Sequence, residues 1–159
     1  MKRTITVAKG LGTGDTKMAA FDAALLDAGV ANYNLIRLSS IIPPGSELRI
    51  GKAETREDEF GHKLYVVYAS QIENEMGKDA WAGIGWVMAE DGTDKGLFTE
   101  HEGHSEQEVQ NLINETLSCM TVSRGGGYSA PESVVAGITC TEKPVCALVI
   151  AVYAAESWD

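Results

Sequence analysis

Two serines stand side by side in Leu38-Ser39-Ser40-Ile41, inside an apolar run that ends at Pro43 and Pro44. In an extended chain their side chains point to opposite faces, so at least one hydroxyl meets an interior or a partner and needs a hydrogen-bonding group there. One reading is an edge strand with two satisfied serines. The other is backbone self-processing. The Ser40 hydroxyl attacks the Ser39 carbonyl and turns the peptide bond into an ester. Loss of the α-proton of residue 40 then expels that ester by β-elimination. The dehydroalanine left behind hydrolyses, through its imine form, to an amino-terminal ketone. The scissile peptide has to be held rigidly and stabilised as an oxyanion, and the two prolines help fix its approach. Such a ketone can capture an amine and support amino-acid decarboxylation without pyridoxal phosphate. A nearby carboxylic acid must then return a proton to the α-carbon.

Glu100 and Glu102 are candidates for that acid. In a strand over 96–104, Glu100, Glu102 and His104 share one face while His101 points to the other. Pattern alone favours a solvated face, but a carboxyl in an apolar pocket has its pKa raised and can donate a proton. The histidines of EHEGH do not converge in this reading, and His62 lies in a charged loop, so no metal site is expected. GLGTGDT (10–16) lies between a strand and a helix. It lacks the P-loop lysine and the full dinucleotide spacing, and reads as a flexible turn. Asp22 sits near the edge of a helical apolar stripe and reads as a solvated carboxylate. Cys119, Cys140 and Cys146 are odd in number, without a CxxC pair, and are expected to be buried reduced thiols.

The elements that must position these residues follow from periodicity. TITVA (4–8) alternates like a strand. Phe21, Ala24, Leu25 and Ala28 recur at helical spacing over 17–28, with Gly29 as a stop. NYNLIRLSSII (32–42) reads as one strand ended by Pro43 and Pro44, and 52–63 as a charged loop or edge region. Strands are expected at 64–72, 81–90 and 96–104. A helix opened by a Ser105–Glu108 capping box follows, with Val109, Leu112, Ile113, Leu117 and Met120 on its apolar face. Residues 124–131 read as a loop, and two strands (133–140 and 145–155) close the chain. The result is a single α+β domain in which one helix covers each outer face of a sheet system. At 159 residues the chain is long enough for one sizeable core. Its net charge of −10 argues against nucleic-acid and anionic-membrane surfaces. The charge is uneven, net +2 over residues 1–39 and net −12 over 40–159. No apolar run is long enough to span a bilayer or serve as a secretory signal, so a cytoplasmic protein is expected.

Residues 20 to 47, AFDAALLDAGVANYNLIRLSSIIPPGSE, closely resemble the pyruvoyl-dependent arginine decarboxylases. That family's N-L-I-R-[hydrophobic]-S-S-I-x-P-P segment and its preceding F-D-x-A-L-x-x-A-G helix both stand here intact, and LFTEHEGHS matches its later E-x-E-G strand. The resemblance implies a four-layer αββα sandwich, self-cleaved between Ser39 and Ser40 into a β chain (1–39) and an α chain (40–159). It implies decarboxylation of L-arginine to agmatine and CO2 by a covalent pyruvoyl group derived from Ser40, with neither pyridoxal phosphate nor a metal. Glu100 maps onto the proton donor, and Asn34 onto a polar active-site contact that also assists processing. Asp22 maps onto the carboxylate that meets the substrate guanidinium. Ser39 becomes a free carboxyl end lining the site. The family assembles as homotrimers, sometimes paired into hexamers, with active sites between subunits. Its product suits polyamine synthesis or acid resistance. The polar, charged segment 48–63 departs from relatives that are proline-rich and apolar there. Two alternatives stay open: an amino-terminal-nucleophile hydrolase, which keeps a free Ser40 amine, and a non-catalytic trimeric scaffold whose serines never react.

Overall fold

A computed structural model describes residues 1 to 159. Nine strands and two α-helices follow in the order β1 (Arg3–Thr13), α1 (Lys17–Ala28), β2 (Asn34–Arg37), β3 (Ile41–Ile42), β4 (Ser46–Ile50), β5 (Lys63–Glu73), β6 (Asp79–Met88), β7 (Gly96–Gly103), α2 (Glu106–Ser123), β8 (Glu132–Thr139) and β9 (Val145–Glu156). A single 3-10 turn, Glu57–Glu59, interrupts the charged loop before β5. The strands make two sheets, one ordered β2-β5-β9-β1-β4 and the other β3-β7-β6-β8. The first is mixed, because β1 runs parallel to β4 and β2 parallel to β5, whereas β9 pairs antiparallel with both neighbours. The fold is α+β.

Three apolar clusters hold these elements together. Ile5, Val7, Val67, Val149 and Ala151 of the larger sheet meet Ile42, Ile84, Trp86 and Phe98 of the smaller one. Ala20, Ala24 and Ala28 of α1 pack on Val66, Leu148 and Ile150. Val109, Ile113 and Leu117 of α2 pack on Val87 and Leu97. Successive residues of a strand face opposite sides, which is why Leu97 joins the helix cluster and Phe98 the inter-sheet core.

The glycine-rich segment 10–16 corrects the expected turn, because Gly10 and Gly12 lie within β1. A Cβ at Gly10 would collide with the Ala24 carbonyl and one at Gly12 with the Ala20 carbonyl, so these glycines let α1 lie directly on the strand. Helix α1 keeps the expected bounds: Thr16 accepts from the Ala19 N–H at its start, and Gly29 closes it at φ 84°. In α2 the Ser105 hydroxyl accepts from the Glu108 N–H, but the Glu108 carboxylate reaches back to His104 rather than to Ser105. Leu112 lies exposed beside the buried stripe. Cys119 is also exposed, while Cys140 and Cys146 are buried as expected.

The expected strand over 32–42 is two strands. β2 pairs with β5 in the larger sheet and β3 with β7 in the smaller one, so residues 38–40 cross from one sheet to the other. Strand alternation cannot continue through a change of sheet, and the two serines mark the crossing.

Candidate active site

The crossing segment is held at both ends. Before it, the Leu38 N–H donates to the Val66 carbonyl of β5 at 2.8 Å. After it, the Phe98 N–H of β7 donates to the Ser40 carbonyl at 2.8 Å, extending the β3–β7 ladder by one bond. Between these anchors Ser40 takes φ 70°, in the left-handed region. A residue with a Cβ is strained there by about 1–3 kcal/mol. Asn32 and Asp94 are the other non-glycine residues with positive φ, and both belong to the types that tolerate it best. The strain at Ser40 lies on the residue that follows the expected cleavage bond.

The Ser40 hydroxyl donates to Glu100 Oε1 at 2.7 Å. Glu100 lies on β7 two residues after Phe98, so one strand supplies both the main-chain donor on the Ser40 carbonyl and the carboxyl beside the Ser40 side chain. Glu100 Oε2 is buried without a hydrogen-bond partner. Burial pushes the Glu100 pKa up, with a small push from the like charge of Glu102; the Ser40 hydrogen bond and the Arg37 guanidinium pull the other way. A buried, unpartnered carboxyl oxygen costs stability as an anion and costs less when it carries a proton. The arrangement therefore favours a carboxylic acid next to Ser40.

Two further side chains shape this end of the molecule. The Arg37 guanidinium lies 4.2 Å from the centre of the Tyr68 ring and donates to the Tyr68 carbonyl at 2.8 Å. Tyr68 in turn meets Phe21 of α1 at 6.0 Å between ring centres. The Tyr153 hydroxyl donates to the Ile41 carbonyl at 2.8 Å, and its ring packs edge-on against Phe98 at 6.0 Å. Burial and the neighbouring Glu100 push the Tyr153 pKa up, so the phenol keeps its proton and remains a donor. Sequence reasoning gave neither Arg37 nor Tyr153 a role. A signal was present for Tyr153: a phenol in the apolar run VCALVIAVYAA needs a buried acceptor.

Within the chain, Ser40 and Glu100 are joined by a hydrogen bond with Ser39 next in sequence, whereas neither Asn34 nor Asp22 bonds to them. Asn34 opens β2, at the opposite end of that strand from Ser40. Its side-chain amide donates to the Gly61 carbonyl at 2.9 Å, an acceptor shared with the Trp158 indole N–H at 2.9 Å. Asp22 is exposed on α1, directly after Phe21, and forms no hydrogen bond or ion pair. The histidines diverge: His101 meets Thr99 at 2.7 Å, while His104 faces the Asp79 carbonyl and Glu73.

The family model for pyruvoyl-dependent arginine decarboxylase matches residues 4–158. The chain belongs to this family. Among curated relatives, the pyruvoyl-dependent arginine decarboxylase of Methanocaldococcus jannaschii is 32% identical over 152 residues, covering 95% of this chain and 89% of the relative. The protein of the same name from Thermoplasma volcanium is 34% identical over 123 residues, covering 77% and 68%. That from Thermococcus sibiricus is 33% identical over 136 residues, covering 85% and 84%. The family's name specifies a covalent pyruvoyl group, and the contacts of Ser40 suit its formation: a strained serine backbone, a pinned carbonyl and a buried carboxyl on its hydroxyl.

Proposed function

We propose that this chain cleaves itself between Ser39 and Ser40 and, with residue 40 converted to a pyruvoyl group, decarboxylates L-arginine to agmatine and CO2. The observation that carries the site assignment is the Ser40 hydroxyl on Glu100 at a strained crossing between sheets. Family membership supports the activity. In self-cleavage the Ser40 oxygen bonds to the Ser39 carbonyl carbon, the C–N bond breaks, and the nitrogen takes the hydroxyl proton. Removal of the residue-40 α-proton then expels Ser39 as a carboxylate. One water converts the resulting enamine, through its imine, to the ketone and releases ammonia. The products are a β chain of residues 1–39 and an α chain of residues 40–159.

When formed, the pyruvoyl group supplies a ketone that captures the substrate amine and draws off the electron pair released as CO2 leaves. The remaining work falls to side chains and backbone of this protein. The Phe98 N–H keeps the residue-40 carbonyl in place, and Glu100, whose pKa burial raises, delivers a proton to the substrate α-carbon. Asp22 meets the guanidinium through paired, charge-assisted hydrogen bonds. Ser39, as the new carboxyl end, lines the site with Asn34.

Within one chain Asp22 and Asn34 form no hydrogen bond with Ser40 or Glu100, and a site completed by a neighbouring subunit in a homotrimer or a pair of trimers would bring them into it. The three apolar clusters support the finer fold reading, a four-layer αββα sandwich. No helix is long and apolar enough to cross a membrane, and a cytoplasmic enzyme making agmatine for polyamine synthesis or acid resistance fits the substrate.

Intact-mass spectrometry with a CO2-release assay tests this reading. The expected result is two fragments, the larger lighter by one ammonia than its hydrolysis product, and CO2 from labelled arginine. A free amine on Ser40, or an unbroken chain that releases no CO2, overturns it.

A further inference from the structure

The bond from Tyr153 to Ile41 joins the two sheets beside the scissile peptide. Tyr153 belongs to β9 of the larger sheet and Ile41 to β3 of the smaller one, yet the phenol and the Ile41 carbonyl are 2.8 Å apart. Three Cα–Cα steps lead from Leu38, anchored on β5, to Ile41, and they span at most roughly 11 Å. Facing sheets lie about 10 Å apart, so the crossing has little slack. With the carbonyls of residues 40 and 41 fixed by Phe98 and Tyr153, the residue between the sheets has few ways to relax, and Ser40 sits at φ 70°.

We infer that Tyr153 is a positioning residue for self-cleavage: its hydroxyl, by fixing the Ile41 carbonyl, holds Ser40 in the left-handed conformation from which the Ser39–Ser40 bond breaks. This rests on the self-processing reading. The torsion φ of residue 40 is defined through the Ser39 carbonyl carbon bound to the Ser40 nitrogen. Transfer of that carbon from nitrogen to Oγ, with the hydroxyl proton moving to nitrogen, removes the steric conflict and needs no co-reactant. The strained peptide is thereby raised toward the ester it must become. Tyr153 acts only through the backbone it holds and touches no atom that changes bonding partner.

The test separates strain from cleavage. Ser40→Ala and Ser40→Gly chains cannot cleave, and glycine adopts positive φ freely where alanine does not. With Tyr153 present, Ser40→Gly melts about 2–4 °C above Ser40→Ala. In a Tyr153→Phe background, which keeps the ring against Phe98 and removes only the hydroxyl, that gap shrinks by half or more. An equal gap in the two backgrounds overturns the inference. In the chain with Ser40 intact, Tyr153→Phe slows the appearance of the two fragments about tenfold by intact mass. A variant that cleaves as fast as the wild type overturns the inference alone, whereas a wild-type chain that never cleaves overturns the self-processing reading together with it.

Discussion

At Glu100 one oxygen accepts from Ser40 while the other lies buried without a partner. That asymmetry suits a group that holds a proton and gives it up to carbon. Glu100→Gln keeps the shape and the contact with Ser40, so cleavage proceeds, but turnover falls by on the order of 10²-fold or more; full activity removes Glu100 from the mechanism. Because burial raises the Glu100 pKa, the acid form is present below that pKa and is lost as pH climbs through it. On the proposed mechanism the turnover profile should therefore show an alkaline limb set by this residue. Arg37 pulls the same pKa down, so Arg37→Gln moves that limb to higher pH; an unmoved limb in steady-state rates between pH 5 and 9, roughly the physiological range and its margins, rules out this coupling. Stability carries the same sign: the raised pKa favours the fold at low pH, and that contribution is lost as pH rises through it. Ser40→Ala abolishes cleavage and activity together, read on a denaturing gel and by CO2 release. Asp22→Asn raises the KM for arginine roughly ten- to hundredfold, since a hydrogen bond to a charged group is worth about 1.5–3 kcal/mol. Better turnover of lysine or ornithine than of arginine would remove Asp22 from guanidinium recognition.

Helices were the most legible elements. The spacing of Phe21, Ala24, Leu25 and Ala28, with Gly29 behind them, places α1 at its observed bounds. Glycine misled in β1, where Gly10 and Gly12 look like a turn but give the helix backbone room against the strand. Gly12→Ala should destabilise the fold by about 1–3 kcal/mol through overpacking, which melting curves of the uncleaved Ser40→Ala chain would report; an unchanged midpoint means that helix and strand can separate at little cost. The break between β2 and β3 was hidden for a different reason. Apolar residues continue on both sides of the serines, because each side is buried in a different sheet. Glu100 and Glu102 were placed on one face by alternation, but whether that face is buried depends on strands distant in sequence. One of these is β9, whose Tyr153 lies more than fifty residues further along the chain.

For the whole molecule, two of the family-mapped residues, Asp22 and Asn34, are legible from motif and yet form no hydrogen bond with Ser40 in one chain. The proposed intersubunit site would reconcile motif and geometry. Sedimentation at micromolar concentration should then give three or six protomers, and a chain that is fully active as a monomer would show that Asp22 and Asn34 act elsewhere. Borohydride reduction in the presence of labelled arginine should attach label to the 40–159 fragment; mature protein that stays unlabelled denies the keto terminus.

β1 lies between β9 and β4 in the larger sheet, although the proposed cleavage would assign it to the short fragment. Before cleavage, insertion of that strand is an event within one chain. Afterwards it is an encounter between two molecules, governed by dilution. Matured protein, once denatured, should regain its fold only as fast as the fragments find each other, whereas the precursor should recover at a rate independent of concentration. On this proposal, the reaction that activates the enzyme also leaves it dependent on the folding it completed beforehand.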